Sequence, residues 1–492
     1  MYLFFFCAFF GFEFYMKVLL VGSEVSPIIK IGGLGDVMGA LPKALQDLGV
    51  NIDVIVPFYL SANTQGLNIY KSLDLNVSFG GENYPVGVYK TRLPMSSVDT
   101  FLLKNDTFFG GGGQEAFAGT MSETDMFAFF NRCVVEFIKS QFNTYDLIHC
   151  NDWHTGLITH ILKDELDMTR PATLFTVHNV MYQGVGDSKS VMNVGLLPGD
   201  HSLVDWDIAD GDINMMLQGI TSSDYISTVS PTYARELLTP EFGGGLSEIF
   251  KARQGRLLGI LNGIDYKTLP INYDISSVIE GKLKAKKKLF EELEVRKSLK
   301  ISGKIDELID CPVFSYIGRL DSGQKGLALL EDLFKHYAND SAKAIFVLLG
   351  KGEFSWEEKF KKLDMANVSV NIAFDEDLAL DIYAGSDFLL VPSKYEPCGL
   401  IQMMAMRYGT LPIVREVGGL KDSVKNGVTG FVFEKYSSED FIACVERGLK
   451  VYNDKSRFTL MAQNAMREDF SWKKSAIEYK KLYERVIKTH SL

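Results

Sequence analysis

The sequence predicts an α/β protein made of two doubly wound halves, and three observations predict it. Short β-rich runs alternate with helical periods through the first half, a charged stretch between residues 262 and 311 interrupts them, and the same alternation then restarts. At 492 residues, and with domains commonly about 100–200 residues long, the chain has room for two large units with substantial cores.

Residues 1–15 come first, with an almost unbroken aromatic run from Tyr2 to Phe12. The run lacks a basic leader and a small-x-small cleavage pattern, is followed by Glu13 and is shorter than a bilayer span, so an N-terminal extension outside the fold is expected. Met16-Lys17 then opens an apolar run at 18–21 that reads as a buried strand. Runs at 52–56, 147–148 and 173–177 read as further parallel strands, with helices at 37–48 and 127–141 between them. The four glycines from Gly110 to Gly113 read as a surface loop. The first domain is expected to span 16–262.

The charged segment carrying Lys282, Lys284, Lys286, Lys287, Lys288, Glu291, Glu292 and Glu294 reads as a solvated helix at the domain boundary. A second domain, 263–472, holds strand-like runs at 313–317, 344–349, 368–372, 388–391 and 411–414. In 473–492, Ala476, Ile477, Tyr479, Leu482, Tyr483 and Val486 recur at helical spacing, which predicts an amphipathic closing helix with Ser471 as its N-cap.

Composition excludes several classes of function. The 51 Lys and Arg against 62 Asp and Glu leave a net charge of −11, unlike a general binder of nucleic-acid backbones. With 46% hydrophobic and 23% charged residues the chain has the balance of a globular protein. Six cysteines, at 7, 133, 150, 311, 398 and 444, form no C-x-x-C pair, which points to reduced thiols in a cytoplasmic setting, without a disulfide framework or structural zinc. After the aromatic run no apolar stretch is long enough for a membrane helix, so neither a membrane nor nucleic acid is expected as a partner.

Five segments carry the residue types for chemistry. Lys30-Ile31-Gly32-Gly33-Leu34-Gly35-Asp36-Val37 follows the first strand and opens a helix, so its amides, the helix N-terminus and an ammonium suit a phosphate. Its glycines come about ten residues too late for a dinucleotide-binding turn. His149-Cys150-Asn151-Asp152-Trp153-His154 and Val177-His178-Asn179 lie at the carboxyl ends of two strands, where open parallel sheets present ligands. His149 and His154 show no obvious third metal ligand. Gly318-Arg319-Leu320-Asp321-Ser322-Gly323-Gln324-Lys325 brings a guanidinium and an ammonium to a strand end, suited to neutralising a diphosphate without a metal. Ser393-Lys394-Tyr395-Glu396-Pro397-Cys398-Gly399-Leu400 places a carboxylate at a strand end before a helix, with the Gly399 and Leu400 amides available to an anion.

These strings, with Thr228-Val229-Ser230-Pro231-Thr232-Tyr233-Ala234-Arg235, Ile260-Leu261-Asn262-Gly263-Ile264-Asp265 and Ala405-Met406-Arg407-Tyr408-Gly409, resemble in order and spacing the glycogen (starch) synthase family of bacteria and plastids. The resemblance runs from Met16 to about Tyr483. It implies a GT-B architecture: two Rossmann-like doubly wound domains facing a deep cleft, an acceptor-side first domain, a nucleotide-sugar-side second domain, and a C-terminal helix returning to the first. It implies retaining transfer of glucose from ADP-glucose to the non-reducing end of glycogen or another α-1,4-glucan, with no cofactor and no metal. The alternatives are a UDP-glucose-preferring or other retaining GT-B transferase, or a catalytically weakened paralogue that binds glucan or nucleotide.

Carried over residue by residue, the resemblance puts Lys30 and the Gly32 and Gly33 backbone at the donor phosphates. Asp152 and His178 would lie beside the transferred glucose, Arg319 and Lys325 on the departing diphosphate, and Glu396 on the sugar, with amides from Gly399 and Leu400. Asp36, Asn262 and Phe374 join the substrate-binding set.

The chain also departs from the family pattern. Leu217 stands where a lysine is usual, Arg319 and Lys325 are one residue further apart with Gly323 as the insertion, Phe374 replaces a tyrosine, and a tryptophan soon after Asp265 is missing. Asp205-Trp206-Asp207 and Asp210-Gly211-Asp212 match the Asp-x-Asp pattern of metal-dependent sugar transferases, a pattern frequent by chance.

Overall fold

The computed structural model describes residues 16–110, 122–141, 144–197, 199, 202–299, 308–338 and 344–491; residues 1–15, expected as an extension, and Gly111 to Gly113 of the expected loop lie outside them. The chain divides into two compact units. One runs to Val229 and adds Ala234–Gly263 and Trp472–Leu492; the other holds Ser230–Tyr233 and Ile264–Ser471.

The first unit is built on β1 (Lys17–Val21), β2 (Asn51–Pro57), β3 (Tyr70–Phe79), β4 (Glu82–Arg92), β5 (Asp99–Lys104), β6 (Leu147–Asn151), β7 (Ala172–Val177), β8 (Val185–Asp187), β9 (Asp212–Asn214), β10 (Tyr225–Thr228) and β11 (Leu257–Gly259). Nine of them form one sheet in the order β11-β10-β7-β6-β1-β2-β5-β4-β3, with β8 and β9 a separate pair. The central pairings are parallel, and β1, β6 and β7 are almost wholly buried, which is why they read as continuous apolar runs.

β3 and β4 were not legible as strands. They pair antiparallel through a turn at Gly80 and Gly81, both at positive φ, and β3 alternates polar and apolar residues with few buried. A search for continuous apolar runs passes over a strand with one wet face.

The closing helix, Trp472–His490, packs into the core of this first unit. Trp472, Ala476, Tyr479, Leu482, Tyr483 and Val486 share that core with Val18, Leu20, Val54 and Leu174. It starts directly after Ser471. Gly263 admits the helix: a Cβ there would lie 2.6 Å from the Trp472 backbone nitrogen.

The second unit holds β12 (Val313–Ile317), β13 (Ile345–Gly350), β14 (Val368–Ile372), β15 (Phe388–Val391), β16 (Leu411–Arg415) and β17 (Phe431–Phe433), all parallel in the order β14-β13-β12-β15-β16-β17. Residues 230–233 belong here through Thr232, whose N–H and hydroxyl donate to the Asp422 carboxylate at 2.6 and 2.7 Å.

One expectation is corrected in this unit. The charged segment does form a helix, Val278–Val295, but it is not solvated all round: Lys282 is 3% exposed and Lys286 1%. Lys286 Nζ sits 2.5 Å from Asp387 Oδ2 and 3.1 Å from the Cys311 carbonyl. Lys282 Nζ donates to Thr410 Oγ1 at 2.7 Å and the Ala384 carbonyl at 3.1 Å, and burial holds its pKa down at about 7. The same face buries Leu289, Phe290 and Leu293 against the strands.

Candidate active site

In the first unit the sheet order turns back at β1, between β6 and β2, and loops from the carboxyl ends of neighbouring strands converge there. The loop after β1 leads into the helix Gly33–Asp47, whose N-cap, Gly32, is extended and supplies no side-chain cap. Lys30 Nζ rests on Asp36 Oδ1 at 2.9 Å, so these two expected site residues are already together. The Gly32 N–H points inward to Glu24 Oε2 at 2.9 Å, whereas Gly33 faces open space. Glu24 escaped the reading by motif: an acid directly after a strand has no signature until the loop folds over it.

Asp152 follows β6 at φ 61°, a conformation that strains a residue with a Cβ. Its own N–H donates to the Thr176 carbonyl at 2.8 Å, and its carboxyl receives the amides of Trp153, His178 and Asn179. Oδ1 has no hydrogen-bond partner among the described residues. Burial outweighs those amides and raises the Asp152 pKa to about 8, so the group can hold or release a proton near neutral pH. His178 follows β7, and its Nε2 lies 3.0 Å from Asn151 Oδ1. Burial pushes its pKa down to about 4, leaving a neutral imidazole. Asn262, in the same unit, is buried with Oδ1 lacking a partner among the described residues.

The two other histidines of this region have packing roles. His149 is clamped between Tyr483 of the closing helix, at 2.8 Å, and Thr176 on β7, at 2.6 Å. His154 stacks on Trp153, ring centroids 4.1 Å apart. The Asp-x-Asp strings serve local turns: Asp205 accepts the Gly199 N–H at 2.8 Å, and Asp207 accepts from Asn214 N–H at 3.1 Å and Gln218 Nε2 at 2.7 Å. Leu217 is buried in the helix Met215–Ser222.

In the second unit the order turns back between β12 and β15, and the cationic and acidic segments leave from these two adjacent strands. Lys325 Nζ reaches Glu396 Oε2 at 2.7 Å, and Ser393 Oγ donates to the same oxygen at 3.0 Å. Gly323, the expected insertion, lies in a turn before Lys325: Gln324 N–H donates to Asp321 Oδ1 at 3.1 Å and Lys325 N–H to the Asp321 carbonyl at 2.9 Å. Gly326 at φ 69° lets this turn press on β15, since a Cβ would stand 2.1 Å from the Pro392 carbonyl oxygen. Arg319 is more open, 3.7 Å from Asp321 and 3.4 Å from Gln324 Oε1.

Gly399 and Leu400 follow Glu396 and lead into the helix Ile401–Arg407. Gly418 and Gly419 were missed as contributors: a Cβ on Gly418 would strike the Glu396 carbonyl at 1.9 Å, and the Gly419 N–H donates to it at 3.1 Å. Phe374, after the edge strand β14, is 78% exposed, an apolar face held clear of the core.

Two family models match the chain: the starch synthase catalytic domain over residues 17–252 and glycosyl transferases group 1 over residues 310–465. A glycogen synthase from Kosmotoga olearia is 40% identical over 489 residues, covering 96% of this chain and 98% of the relative. The chain belongs to the glycogen (starch) synthase family. A glycogen synthase from Geotalea daltonii is 38% identical, also over 96% of the chain and 99% of the relative. Among solved structures, the catalytic domain of starch synthase IV from Arabidopsis thaliana, bound to ADP and acarbose, superposes with a TM-score of 0.83 at 29% identity, over 96% of this chain and all of that one. Sucrose-phosphate synthase from Thermosynechococcus elongatus shares the fold at a TM-score of 0.58 and 16% identity. The two α/β units are those of a GT-B glycosyltransferase, and the family places the chain in glycogen synthesis. Among the described residues no helix is long and apolar enough to cross a membrane.

Proposed function

We propose that this glycogen synthase transfers glucose from ADP-glucose, with retention, to the non-reducing 4-hydroxyl of an α-1,4-glucan. The observation that carries the reading is the Lys325–Glu396 pair, with Arg319 nearby, at the point where the second sheet turns back. Two cations gathered there answer the charge that develops on a departing diphosphate. ADP is favoured because the Arabidopsis relative was solved with ADP and acarbose.

In this mechanism Lys30 and the Gly33 N–H hold the donor phosphates, with Asp36 orienting Lys30. The bond between glucose C1 and the diphosphate oxygen breaks as the acceptor 4-oxygen bonds to C1 on the same face, and the acceptor proton leaves with the diphosphate. Arg319 and Lys325 stabilise that leaving group, and Glu396 holds Lys325 in place while contacting the sugar. Asp152 and His178 line the glucose, Asn262 donates to or accepts from substrate hydroxyls, Phe374 offers a stacking face, and Gly399 and Leu400 offer amides. Lys325 reaches Glu396 despite its longer spacing from Arg319, which supports an active enzyme over a catalytically weakened paralogue.

The test is incorporation of labelled glucose into glycogen from ADP-glucose and UDP-glucose in parallel, with and without EDTA. Incorporation chiefly from ADP-glucose and insensitive to EDTA is expected. Preference for UDP-glucose overturns the donor assignment, and EDTA sensitivity overturns a mechanism whose positive charge comes from side chains alone.

A further inference from the structure

The loop that opens the helix Gly33–Asp47 is already filled from inside. Glu24, 5% exposed, accepts the N–H groups of Ile31 and Gly32, the latter at 2.9 Å through Oε2 and 3.2 Å through Oε1, and the Gly35 amide adds a third. A Cβ on Gly35 would lie 2.9 Å from Glu24 Oε2, so the loop closes on the carboxylate as tightly as a glycine allows.

The segment beside Glu24 is itself tied down. Val25 and Ile29 exchange backbone hydrogen bonds at 3.0 and 2.9 Å, and the Ser26 N–H donates to the Gly35 carbonyl at 2.9 Å. Gly39 comes close enough that a Cβ would meet the Ser26 carbonyl at 2.4 Å. Amides that would suit an external phosphate are therefore spent on an internal anion. Available to an outside anion are the Gly33 N–H, which as the first helical residue has no intrahelical acceptor, and the Lys30 ammonium, held 2.9 Å from Asp36.

We propose that Glu24 is a positioning residue for the donor: its carboxylate locks the Ile31–Gly35 turn so that the Gly33 N–H and Lys30 face the diphosphate, and it withholds the Ile31 and Gly32 amides from substrate. This rests on the reading of the loop as the donor phosphate site. Glu24→Gln replaces one acceptor oxygen with an NH2 donor that faces the same amides, so it releases the turn at its anchor.

The experiment compares Glu24→Gln, Lys30→Ala and the double variant in the full chain, measuring KM for the better of ADP-glucose and UDP-glucose, KM for glycogen, and thermal midpoint. Glu24→Gln is expected to raise the donor KM about tenfold with the glycogen KM unchanged. It is expected to add little to Lys30→Ala, because both act on one loop geometry. If Lys30→Ala raises the donor KM and Glu24→Gln does not, the positioning role is overturned while the loop reading stands. A fall in midpoint with both KM values raised alike by Glu24→Gln also overturns it, in favour of a structural group. If Lys30→Ala leaves the donor KM unchanged, the loop reading falls and the proposal with it.

Discussion

Lys325 and Glu396, 71 residues apart in the chain, meet at 2.7 Å because they leave the carboxyl ends of two adjacent strands, β12 and β15. Neither side chain is near the other in sequence, and the pair exists only once the parallel sheet sets those strands side by side. Ser393 binds the same carboxylate oxygen, so the ammonium is held in direction as well as position.

Lys325→Ala and Glu396→Ala are each expected to lower kcat by about 10²–10³-fold, the scale of removing one preorganised group from charge developing in the transition state. Since the two act as a unit, the double variant should be little worse than the worse single one. Initial rates with saturating donor and glycogen, and circular dichroism to confirm folding, check this.

Gly326→Ala is expected to cost at least about 2 kcal/mol of stability and most of the activity, because φ is 69° and the added Cβ would be 2.1 Å from the Pro392 oxygen. Relief of that clash must move the turn that carries Lys325. Urea unfolding and steady-state rates together measure both effects.

Asp152 makes stability depend on pH with a defined sign. Its folded pKa, about 8, lies above the unfolded value of 3.8, so the folded state retains a proton that the unfolded chain releases. Its contribution is greatest below the unfolded value and is lost as pH rises toward 8. Asp152→Asn should therefore flatten the fall in unfolding free energy between pH 4 and 8, as read by urea titrations of both proteins across that range.

Lys286→Met is expected to destabilise the second unit by about 3–5 kcal/mol, because it strands the Asp387 carboxylate in the core. Adding Asp387→Leu should recover only part, since Asp387 also accepts the Val313 N–H at 2.8 Å and that amide would lose its partner. Chemical denaturation of the three variants tests the order.

The strands at 18–21, 173–177, 313–317 and 388–391 were legible because strands buried on both faces must be apolar throughout. The closing helix was legible from the spacing of Tyr479, Leu482, Tyr483 and Val486. β3 and β4 were hidden by their alternation, and Lys282 and Lys286 by their charge, since composition does not reveal that Thr410 and Asp387 will cover a helix face. Glu24 gave no signal because its role depends on three amides that come to it only after the chain has turned.

Local patterning thus decided the α/β alternation, the glycine-bearing loops and the residue types available at the strand ends, because hydrophobic period and backbone freedom are properties of short segments. Sheet order decided the rest. It sets Lys325 on Glu396, lays Tyr483 against His149, and turns a surface-like lysine into a buried one. Burial and long-range hydrogen bonding depend on which segments become neighbours, and only the packed chain specifies that.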